Sequence, residues 1–335
     1  MHLSVVRLWR LKGDADLKDQ CGRSITYLRI SITDRCDLRC RYCMPPGAVQ
    51  FAPPEALLTA DEIVRVCALA VQLGVTDIRL TGGEPLLRPD WPDIARRVSA
   101  LDGVRRLALT TNGVHLAQQS ELLRQSGVQA VNVSLDSLCA ARYAAVTGFD
   151  RLDAVLDGID AALRAGLLAV KLNCVCLPDA AEDAVQLAAF AKTHPVSVRF
   201  IEMMPVGQGQ HAPHAEFAAV RRAVYDAFGA FAPCTPDGSG PAREETRPEF
   251  AGRIGWIAAC SAPFCASCNR VRLTAAGQLR PCLGHDMGTD LRALLRCGAS
   301  DDAVRAAMRR TIYNKPVSGG FDAPDAHMNM NTIGG

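Results

Sequence analysis

Aromatic residues are scarce in this chain and make up only 5% of its 335 residues. Proteins that bind single-stranded nucleic acid stack the bases on aromatic side chains, so this scarcity argues against such a function. An excess of charge of one sign is also lacking, because the formal net charge is +2. No overall field would attract nucleic acid or a membrane surface, and we expect neither as a partner. Any site for an anion must therefore be built locally.

The sequence also lacks the segments that direct a chain to or across a membrane. Its apolar start is interrupted by Arg7, Arg10 and Lys12 and is followed by no small-residue cleavage site, unlike a signal peptide. No uninterrupted apolar run approaches the length of a membrane span. The sequence therefore predicts a cytoplasmic protein.

What the sequence has in quantity is cysteine, with 14 residues. The cytoplasm keeps thiols reduced, so we do not expect a disulfide framework. Cysteines clustered at suitable spacing would instead indicate metal or redox chemistry. Hydrophobic residues at 49% and charged residues at 21% allow a buried core in a soluble chain.

Strand-like and helical patterns alternate along the first two-thirds of the chain. One helical segment opens with Thr59 and Glu62 at capping-box spacing and ends at Gly74, a helix-stop signal. Six strand–helix units in series predict a parallel sheet with helical crossovers. Six units instead of eight favour an incomplete (βα)6 TIM-type barrel, although a flat doubly wound sheet has the same local pattern. The six predicted strands are 27–33, 77–83, 106–113, 130–136, 169–177 and 196–204.

The composition changes after Gly229. Residues 233–253 are rich in proline, glycine and charge and are typical of a linker or a mobile excursion. Short strands, a cysteine cluster and a helix around 290–310 follow. We therefore divide this α/β chain into a partial barrel, residues 20–232, and a smaller C-terminal domain, residues 233–335.

Cys36, Cys40 and Cys43 form a C-x3-C-x2-C motif directly after the first predicted strand. A loop in that place lies at the C-terminal mouth of the sheet, where such folds carry their chemistry. Three thiolates can hold an iron–sulfur cube at three corners and leave one iron open to a ligand. The competing interpretation is structural zinc or plain buried thiols.

Cys265, Cys268 and Cys282 form a second group of three at C-x2-C-x13-C spacing. His285 follows at the spacing that would complete a closed Cys3His zinc site. The spacing alone leaves zinc and an iron–sulfur cluster about equally favoured. The other eight cysteines are scattered and are expected to be small core residues or incidental surface thiols.

The first cysteine motif, GGEP at the end of the second predicted strand and NVSLD on the fourth together resemble the radical S-adenosylmethionine (SAM) enzymes. TDRCDLRCRYCMP, IRLTGGEPLLR, LTTNG, FCASCNRVRLTAAGQLRPCL and the terminal Gly-Gly are similar to the GTP 3′,8-cyclase family. The resemblance extends from about residue 23 to the last glycine, and EETRPEF departs from the family pattern. It implies a lyase that converts GTP to 3′,8-cyclo-7,8-dihydroguanosine 5′-triphosphate, the first step of molybdenum cofactor biosynthesis.

The resemblance also implies two [4Fe–4S] clusters and SAM as cofactors. The first cluster would bind the amino and carboxylate groups of SAM at its open iron. The second would bind the guanine of GTP at its own open iron, which makes His285 incidental. The positions that match SAM contacts are Tyr42, Gly83, Ser134 and Met204.

Three cations lie inside otherwise apolar predicted strands, namely Arg29, Arg79 and Lys171. A buried charge needs a partner, so these residues indicate a polyphosphate pocket unless strand alternation turns them outward to solvent. The resemblance favours the pocket. It adds four residues to the GTP site: Thr110, Arg270, Val271 and Arg272.

The resemblance further implies an electron-donor protein, a downstream cyclic pyranopterin monophosphate synthase, and a chain that is a monomer or a homodimer. Gly334 and Gly335 are expected to enter the active site and to help position the substrate or the developing radical. Glycines fit a narrow cavity, and the free carboxylate is attracted to cations. Two alternatives stay open here: another radical SAM enzyme with an auxiliary cluster, and a non-catalytic iron–sulfur or zinc protein.

Overall fold

The computed structural model describes residues 17–44, 47, 49–178, 180–211, 215–321 and 330–333. Gly334 and Gly335, which the sequence analysis assigns to the active site, lie outside the described residues.

Strands and helices alternate over the first two-thirds of the chain, as predicted. All six predicted strands are present: β1 (Tyr27–Ser31), β2 (Asp77–Thr81), β3 (Arg106–Thr111), β4 (Ala130–Ser134), β5 (Ala169–Cys176) and β6 (Ser197–Glu202). The helices are α1 (Ala60–Gln72), α2 (Trp91–Ser99), α3 (Leu116–Gln125), α4 (Ala140–Thr147), α5 (Leu152–Arg164), α6 (Ala180–Thr193) and α7 (Phe217–Phe228). At the start of α1 the capping box forms, since Thr59 and Glu62 each accept a hydrogen bond from the other's backbone N–H.

The last third of the chain adds six short strands and three helices. They are β7 (Ala232–Pro233), β8 (Arg243–Thr246), β9 (Arg253–Ile257), β10 (Arg270–Leu273), β11 (Gln278–Arg280), β12 (Thr289–Asp290), α8 (Leu291–Arg296), α9 (Asp301–Tyr313) and α10 (Met330–Ile333).

Strands β1 to β6 are parallel and lie in sequence order within one sheet. This is the order of a barrel, whereas a doubly wound sheet reverses its order at a switch point. Strand β10 pairs parallel with β1, and β9 pairs parallel with β6, which lengthens the sheet at both edges. Their outer neighbours, β11 and β8, are antiparallel to them. Among the described strands the sheet runs from β12 to β7 and these two edges do not pair, so the barrel is open. The prediction of an incomplete α/β barrel is confirmed.

Strand β1 shows how the sequence separates the core from the interior of the barrel. Successive side chains of a strand point to opposite faces. Leu28 and Ile30 are fully buried in the core beneath the helices. Tyr27 and Arg29 alternate with them and line a cavity inside the barrel. The cations of the apolar strands are therefore turned inward.

The prediction of a linker at 233–253 is wrong for its second half. Strand β8 pairs antiparallel with β9, and Glu244 and Glu245 within β8 are buried. The helix expected around 290–310 is two helices, because the chain turns at Gly298, with φ +78°, before Ser300 caps α9. The division into domains at residue 232 stays a prediction, since β9 and β10 continue the sheet of the barrel.

No helix in the described part of the chain is both long enough and apolar enough to cross a membrane.

Candidate active site between two cysteine loops

One cavity of about 310 Å³ occupies the interior of the barrel and brings together most of the residues predicted from sequence. All six cysteines of the two motifs line it. So do the following residues: Tyr42, Gly83, Ser134, Met204, Arg29, Arg79, Thr110, Arg270 and Arg272. The two groups of cysteines, more than 200 positions apart in sequence, therefore share one space.

The two cysteine groups lie at opposite ends of this cavity. Cys36, Cys40 and Cys43 follow the C-terminal end of β1. Cys265 and Cys268 precede the N-terminal end of β10, which runs parallel to β1 with Arg270 beside Tyr27. Because the two strands point the same way, one loop lies at the upper mouth and the other at the lower mouth of the barrel.

The first cysteine loop is a tight turn fixed to its surroundings through backbone bonds. The N–H of Cys43 donates to the carbonyl of Cys40 at 2.9 Å. Arg39 and Arg41 donate their backbone N–H groups to the last turn of α4, at 2.8 and 3.0 Å. This holds three thiols on one short loop facing the cavity, the donor set that suits three corners of an iron–sulfur cube.

Two glycines of the GGEP motif let the loop after β2 pass directly beneath the first cysteine loop. A Cβ placed on Gly83 would lie 2.3 Å from the carbonyl oxygen of Arg35, and one on Gly82 would lie 2.5 Å from that of Thr33. The N–H groups of Gly83 and Glu84 donate to Thr33 and Arg35 at 2.8 and 2.7 Å. Any side chain here would push the cysteine loop away. The glycines thus have a structural role besides the expected approach to SAM.

Carboxyl groups surround the first cysteine group. Glu84 is fully buried and accepts hydrogen bonds from the Thr111 hydroxyl and the Asn112 N–H at 2.9 and 2.6 Å. Burial raises its pKa to about 7. Burial, together with the nearby Glu84 charge, raises the pKa of Cys36 to about 12, and burial raises that of Cys43 to about 12 as well. These thiols need a bound cation to become thiolates, which an iron cluster would supply.

Tyr42 is held by Asp136 at the same end of the cavity. The Tyr42 hydroxyl donates to one carboxyl oxygen of Asp136 at 2.8 Å, and the backbone N–H of Val175 donates to the other at 2.8 Å. Burial raises the pKa of Asp136 to about 6 despite these bonds. Asp136 thus ties the cysteine loop to the ends of β4 and β5.

Cations surround the second cysteine group. Lys315 is buried and donates its ammonium to the carbonyl oxygens of Arg270, at 2.9 Å, and of Pro281. Arg23 donates to the carbonyl of Cys265 at 2.8 Å. Burial acts to raise the pKa of Cys268, but the positive charges of Lys315 and Arg270 outweigh it, so that this pKa lies below its ordinary value. The thiolate form of Cys268 is therefore favoured relative to an ordinary cysteine.

His285, the fourth ligand of the alternative zinc site, is directed elsewhere. Its Nε2 lies 3.1 Å from the carbonyl oxygen of Ser318, and the residue is not part of the cavity lining. Among the described residues, no three or more His, Cys, Asp or Glu side chains are grouped closely enough to hold a single metal ion. A closed Cys3His zinc site would require His285 to turn away from Ser318, and a group held by the three cysteines alone stays the prediction for this end.

Between the two ends, four guanidinium groups converge from three adjacent strands. Arg29 on β1 lies beside Arg272 on β10 and Arg79 on β2, and Arg270 lies beside Tyr27. Burial and the charge of Arg270 lower the pKa of Arg272 to about 10. Burial and Arg272 likewise lower the pKa of Arg29. Such mutual repulsion in a buried space is relieved by an anion.

Two residues predicted to bind the substrate do not reach this cavity. Val271 lies on the other face of β10, and its side chain packs in the core, as alternation requires between Arg270 and Arg272. Lys171 faces an adjoining cavity of about 20 Å³ and pairs with Asp237, with 3.1 Å between Nζ and a carboxyl oxygen.

Several residues of the site were missed in the sequence. Glu84 and Asp136 lie within the quoted motifs GGEP and NVSLD, so the motifs themselves were the available signal. Arg199 lines the cavity and is a cation within an apolar strand, the same pattern that pointed to Arg29. Lys315 and Asp237 stand in no motif, and no sequence signal marked them.

Comparison with known proteins also covers nearly the whole chain. Residues 30–191 match the Radical SAM superfamily, and residues 196–321 match the family described as Molybdenum Cofactor Synthesis C. The GTP 3′,8-cyclase of Mycobacterium sp. (strain KMS) is 42% identical over 327 residues, covering 95% of this chain and 93% of that protein. The GTP 3′,8-cyclase of Pelotomaculum thermopropionicum is 44% identical over 308 residues, covering 90% and 94%.

The chain belongs to the GTP 3′,8-cyclase family. As a radical SAM enzyme, a GTP 3′,8-cyclase family member uses a [4Fe–4S] cluster and SAM, which fits the first cysteine loop. Among solved structures, Streptococcus suis SuiB bound to S-adenosylmethionine is similar in fold, with a TM-score of 0.62 and 18% identity. The similarity covers 89% of this chain and 68% of SuiB.

Proposed function

We propose that this protein converts GTP to 3′,8-cyclo-7,8-dihydroguanosine 5′-triphosphate, the first step of molybdenum cofactor biosynthesis. The observation that carries the proposal is the single cavity in which two three-cysteine loops face each other across a cluster of arginines. A cofactor site at one end, a base site at the other and cations for phosphate between them suit one nucleotide held beside SAM.

In this proposal Cys36, Cys40 and Cys43 hold the [4Fe–4S] cluster that binds SAM. When bound, the cluster and SAM would supply radical chemistry directed at the ribose of GTP, with the electron coming from the external reductant. Tyr42, Gly83, Ser134 and Met204 are the proposed SAM contacts, since all four line the cavity. Asp136 keeps the Tyr42 ring in place by accepting its hydroxyl proton in a hydrogen bond.

Cys265, Cys268 and Cys282 are proposed to hold a second [4Fe–4S] cluster that binds the guanine of GTP. The cationic surroundings, which favour thiolate at Cys268, support this role. Arg29, Arg79, Arg270 and Arg272 are proposed to bind the triphosphate through forked, charge-assisted hydrogen bonds. Thr110 assists by holding Arg79 through its hydroxyl, at 3.4 Å from the guanidinium.

Lys171 and Val271 take a lesser part in the proposal. Lys171 would reach the phosphate chain only after a change in its present pairing with Asp237. Val271 would contribute only its backbone, because its side chain is in the core. Arg79 and Arg272 are buried, and this burial strengthens their interaction with an anion.

An electron-donor protein is proposed to dock beside the first cysteine loop. Arg35, Arg39 and Arg41 are exposed and interleaved with the cysteines, and no carboxylate of the described residues pairs with them. An acidic partner would be steered to such a surface. A cyclic pyranopterin monophosphate synthase would use the product, and the protein would work in the cytoplasm as a monomer or a homodimer.

The test is anaerobic turnover. After reconstitution with iron and sulfide, we expect about eight iron atoms per chain and a cyclised product that depends on SAM, a reductant and GTP together. A non-catalytic iron–sulfur or zinc protein would form no 5′-deoxyadenosine. Another radical SAM enzyme would form it without any dependence on GTP, which would overturn the proposal.

A further inference from the structure

Residues 237–241, Asp-Gly-Ser-Gly-Pro, close the lower end of the barrel; we term them the floor segment. Gly240 and Pro241 line the main cavity, while Asp237 to Gly240 line the adjoining cavity of about 20 Å³. The smaller cavity is large enough for about one water molecule. It is also lined by the first residues of β2 and β3, which places it at the N-terminal end of the parallel strands. The floor segment is thus a thin partition beneath the site.

The carboxylate of Asp237 bridges two cations that point into this partition. One oxygen lies 3.1 Å from Nζ of Lys171, and the other lies 2.9 Å from a guanidinium nitrogen of Arg106. Lys171 also donates to the carbonyl oxygen of Asp237. Only 3% of the Lys171 side chain is exposed, so an ammonium there needs a charged partner in addition to the one water molecule for which the adjoining cavity has room. Asp237 is therefore the counter-ion that makes a buried ammonium tolerable.

Glu244 fixes the neighbouring part of the floor in the same manner. It is fully buried and accepts hydrogen bonds from the Arg199 guanidinium and from the Ser197 hydroxyl at 3.1 Å. Its second oxygen accepts the backbone N–H of Asp237 at 3.2 Å. Glu244 thus anchors the floor segment, whereas Asp237 pairs with Lys171 and Arg106 at the edge of that segment.

The cations of the two sides of the barrel consequently differ in their partners. On the β5 and β6 side, carboxylates of the C-terminal third pair with Lys171 and Arg199. On the side of β2 and β10, no carboxylate of the described residues pairs with Arg79 or Arg270. A polyanion in the main cavity would meet the second side directly. To reach Lys171 and Arg106, which line only the adjoining cavity, it would have to compete with Asp237.

We propose that Asp237 is an internal competitor of the substrate, a carboxylate that occupies the Lys171–Arg106 end of the anion site and thereby weakens the binding of the triphosphate. The proposal rests on the proposed function, because it takes GTP as the ligand of the arginines. Its physical basis is that one pair of cations cannot serve a carboxylate and a phosphate fully at once. The backbone N–H of Asp237 is bonded to Glu244, so the competition requires only that the Asp237 side chain leave Lys171 and Arg106.

The experiment measures nucleotide binding by calorimetry in wild-type holoenzyme, in Asp237→Asn and in Asp302→Asn. Asp302 is 87% exposed on α9, so its variant has the same change of net charge away from the site. Asp237→Asn should bind GTP roughly three- to tenfold more tightly than wild type, with Asp302→Asn unchanged. The gain should grow from GMP to GDP to GTP, and SAM affinity should not change.

Thermal unfolding supplies a second readout. Without nucleotide, the melting temperature of Asp237→Asn should lie below that of wild type, because Lys171 and Arg106 lose their counter-charge. Saturating GTP should reduce this difference in melting temperature. If Asp237→Asn does not fold, the double variant Lys171→Met with Asp237→Asn replaces it, since it leaves no buried ammonium unpaired. This double variant should bind GTP more tightly than Lys171→Met alone, because Arg106 is freed from Asp237. The gain should be smaller than that of Asp237→Asn over wild type.

Unchanged or weaker GTP binding in Asp237→Asn would overturn the inference and would make Asp237 a residue that positions Lys171. An equal gain for GMP and GTP would overturn it too, because competition for the terminal phosphates requires a dependence on phosphate number. Failure of the wild type to bind GTP at all would instead count against the proposed function, and it would be seen before any variant is compared.

Discussion

At the upper end of the cavity, burial raises the pKa values of Cys36 and Cys43 to about 12, and the nearby charge of Glu84 adds to the rise at Cys36. At the lower end, Cys268 lies beside Lys315 and Arg270 and has a pKa below its ordinary value. The motifs are alike in ligand number but differ in spacing, C-x3-C-x2-C against C-x2-C-x13-C, and the charged groups that act on Cys36 and on Cys268 are of opposite sign. In the proposed function, the upper loop holds the cluster that receives SAM, a positively charged sulfonium, and the lower cysteines hold the cluster beside a polyanion. The comparison teaches that ligand count alone does not assign a role to either loop.

The largest effect is expected for Cys40→Ala at the upper end. Two thiolates cannot hold a cube firmly, so about four iron atoms per chain should remain, all at the lower end. SAM cleavage should be abolished. Iron analysis and quantification of 5′-deoxyadenosine check this, and formation of that product at the wild-type rate would contradict the assignment of the upper loop.

Cys268→Ala should distinguish the role of the lower cysteines from that of the upper cysteines most clearly. The upper cluster and some SAM cleavage should persist, while cyclised product should disappear, because the lower end serves the substrate. Product analysis alongside 5′-deoxyadenosine measures both. Stoichiometric zinc in the anaerobically purified wild type would show that the lower end is a Cys3His site with His285 after all.

Removal of Gly334 and Gly335 should leave iron content and SAM cleavage largely intact while the yield of cyclised product falls steeply. The expected reason is that the terminal carboxylate is attracted to the cationic end of the cavity. Both glycines lie outside the described residues, so turnover is the informative measurement. A wild-type yield from the truncated chain would make the tail an ordinary chain end.

Arg272→Ala tests the cationic character of the lower end directly. A charge-assisted contact to phosphate contributes about 1.5–3 kcal/mol, so GTP affinity should fall roughly ten- to a hundredfold. SAM affinity should change much less. Arg309→Ala, an exposed arginine of α9, is the matched control for calorimetry. Equal GTP affinity in the two variants would place the triphosphate elsewhere.

The smallest effect is expected for Glu84→Gln at the upper end. The glutamine NH2 group would face the Asn112 N–H, a mismatch that should cost about 1–3 kcal/mol of unfolding free energy. The carboxyl of Glu84 has a folded pKa of about 7 against 4.5 for an ordinary glutamate. Its contribution to stability is therefore fully present below pH 4.5 and is lost as pH rises through about 7. Urea unfolding across this range should show a shallower decline for Glu84→Gln than for wild type or for the exposed-site control Glu121→Gln.

Much of the fold follows from local patterns in the sequence. The six strands and the capping box at Thr59 were predictable because apolar periodicity and capping act within a few residues. The pairing of β8 with β9 was not, because a segment rich in glycine, proline and charge carries no strand pattern. Its glutamates are buried only because they meet Arg199 and Arg221 from distant elements.

The sequence by itself determined the ligand sets of the two cysteine loops, the cations within the strands and the family, because motif spacing and strand alternation are local. Only the tertiary structure decided that the loops face each other from opposite ends of one cavity and that Val271 is turned away from it. Tertiary structure also decided that Lys171 is paired with Asp237, 66 positions later. The physical reason is that a buried charge takes its partner from whichever segment the fold brings beside it, and such a partner leaves no periodic trace in the chain.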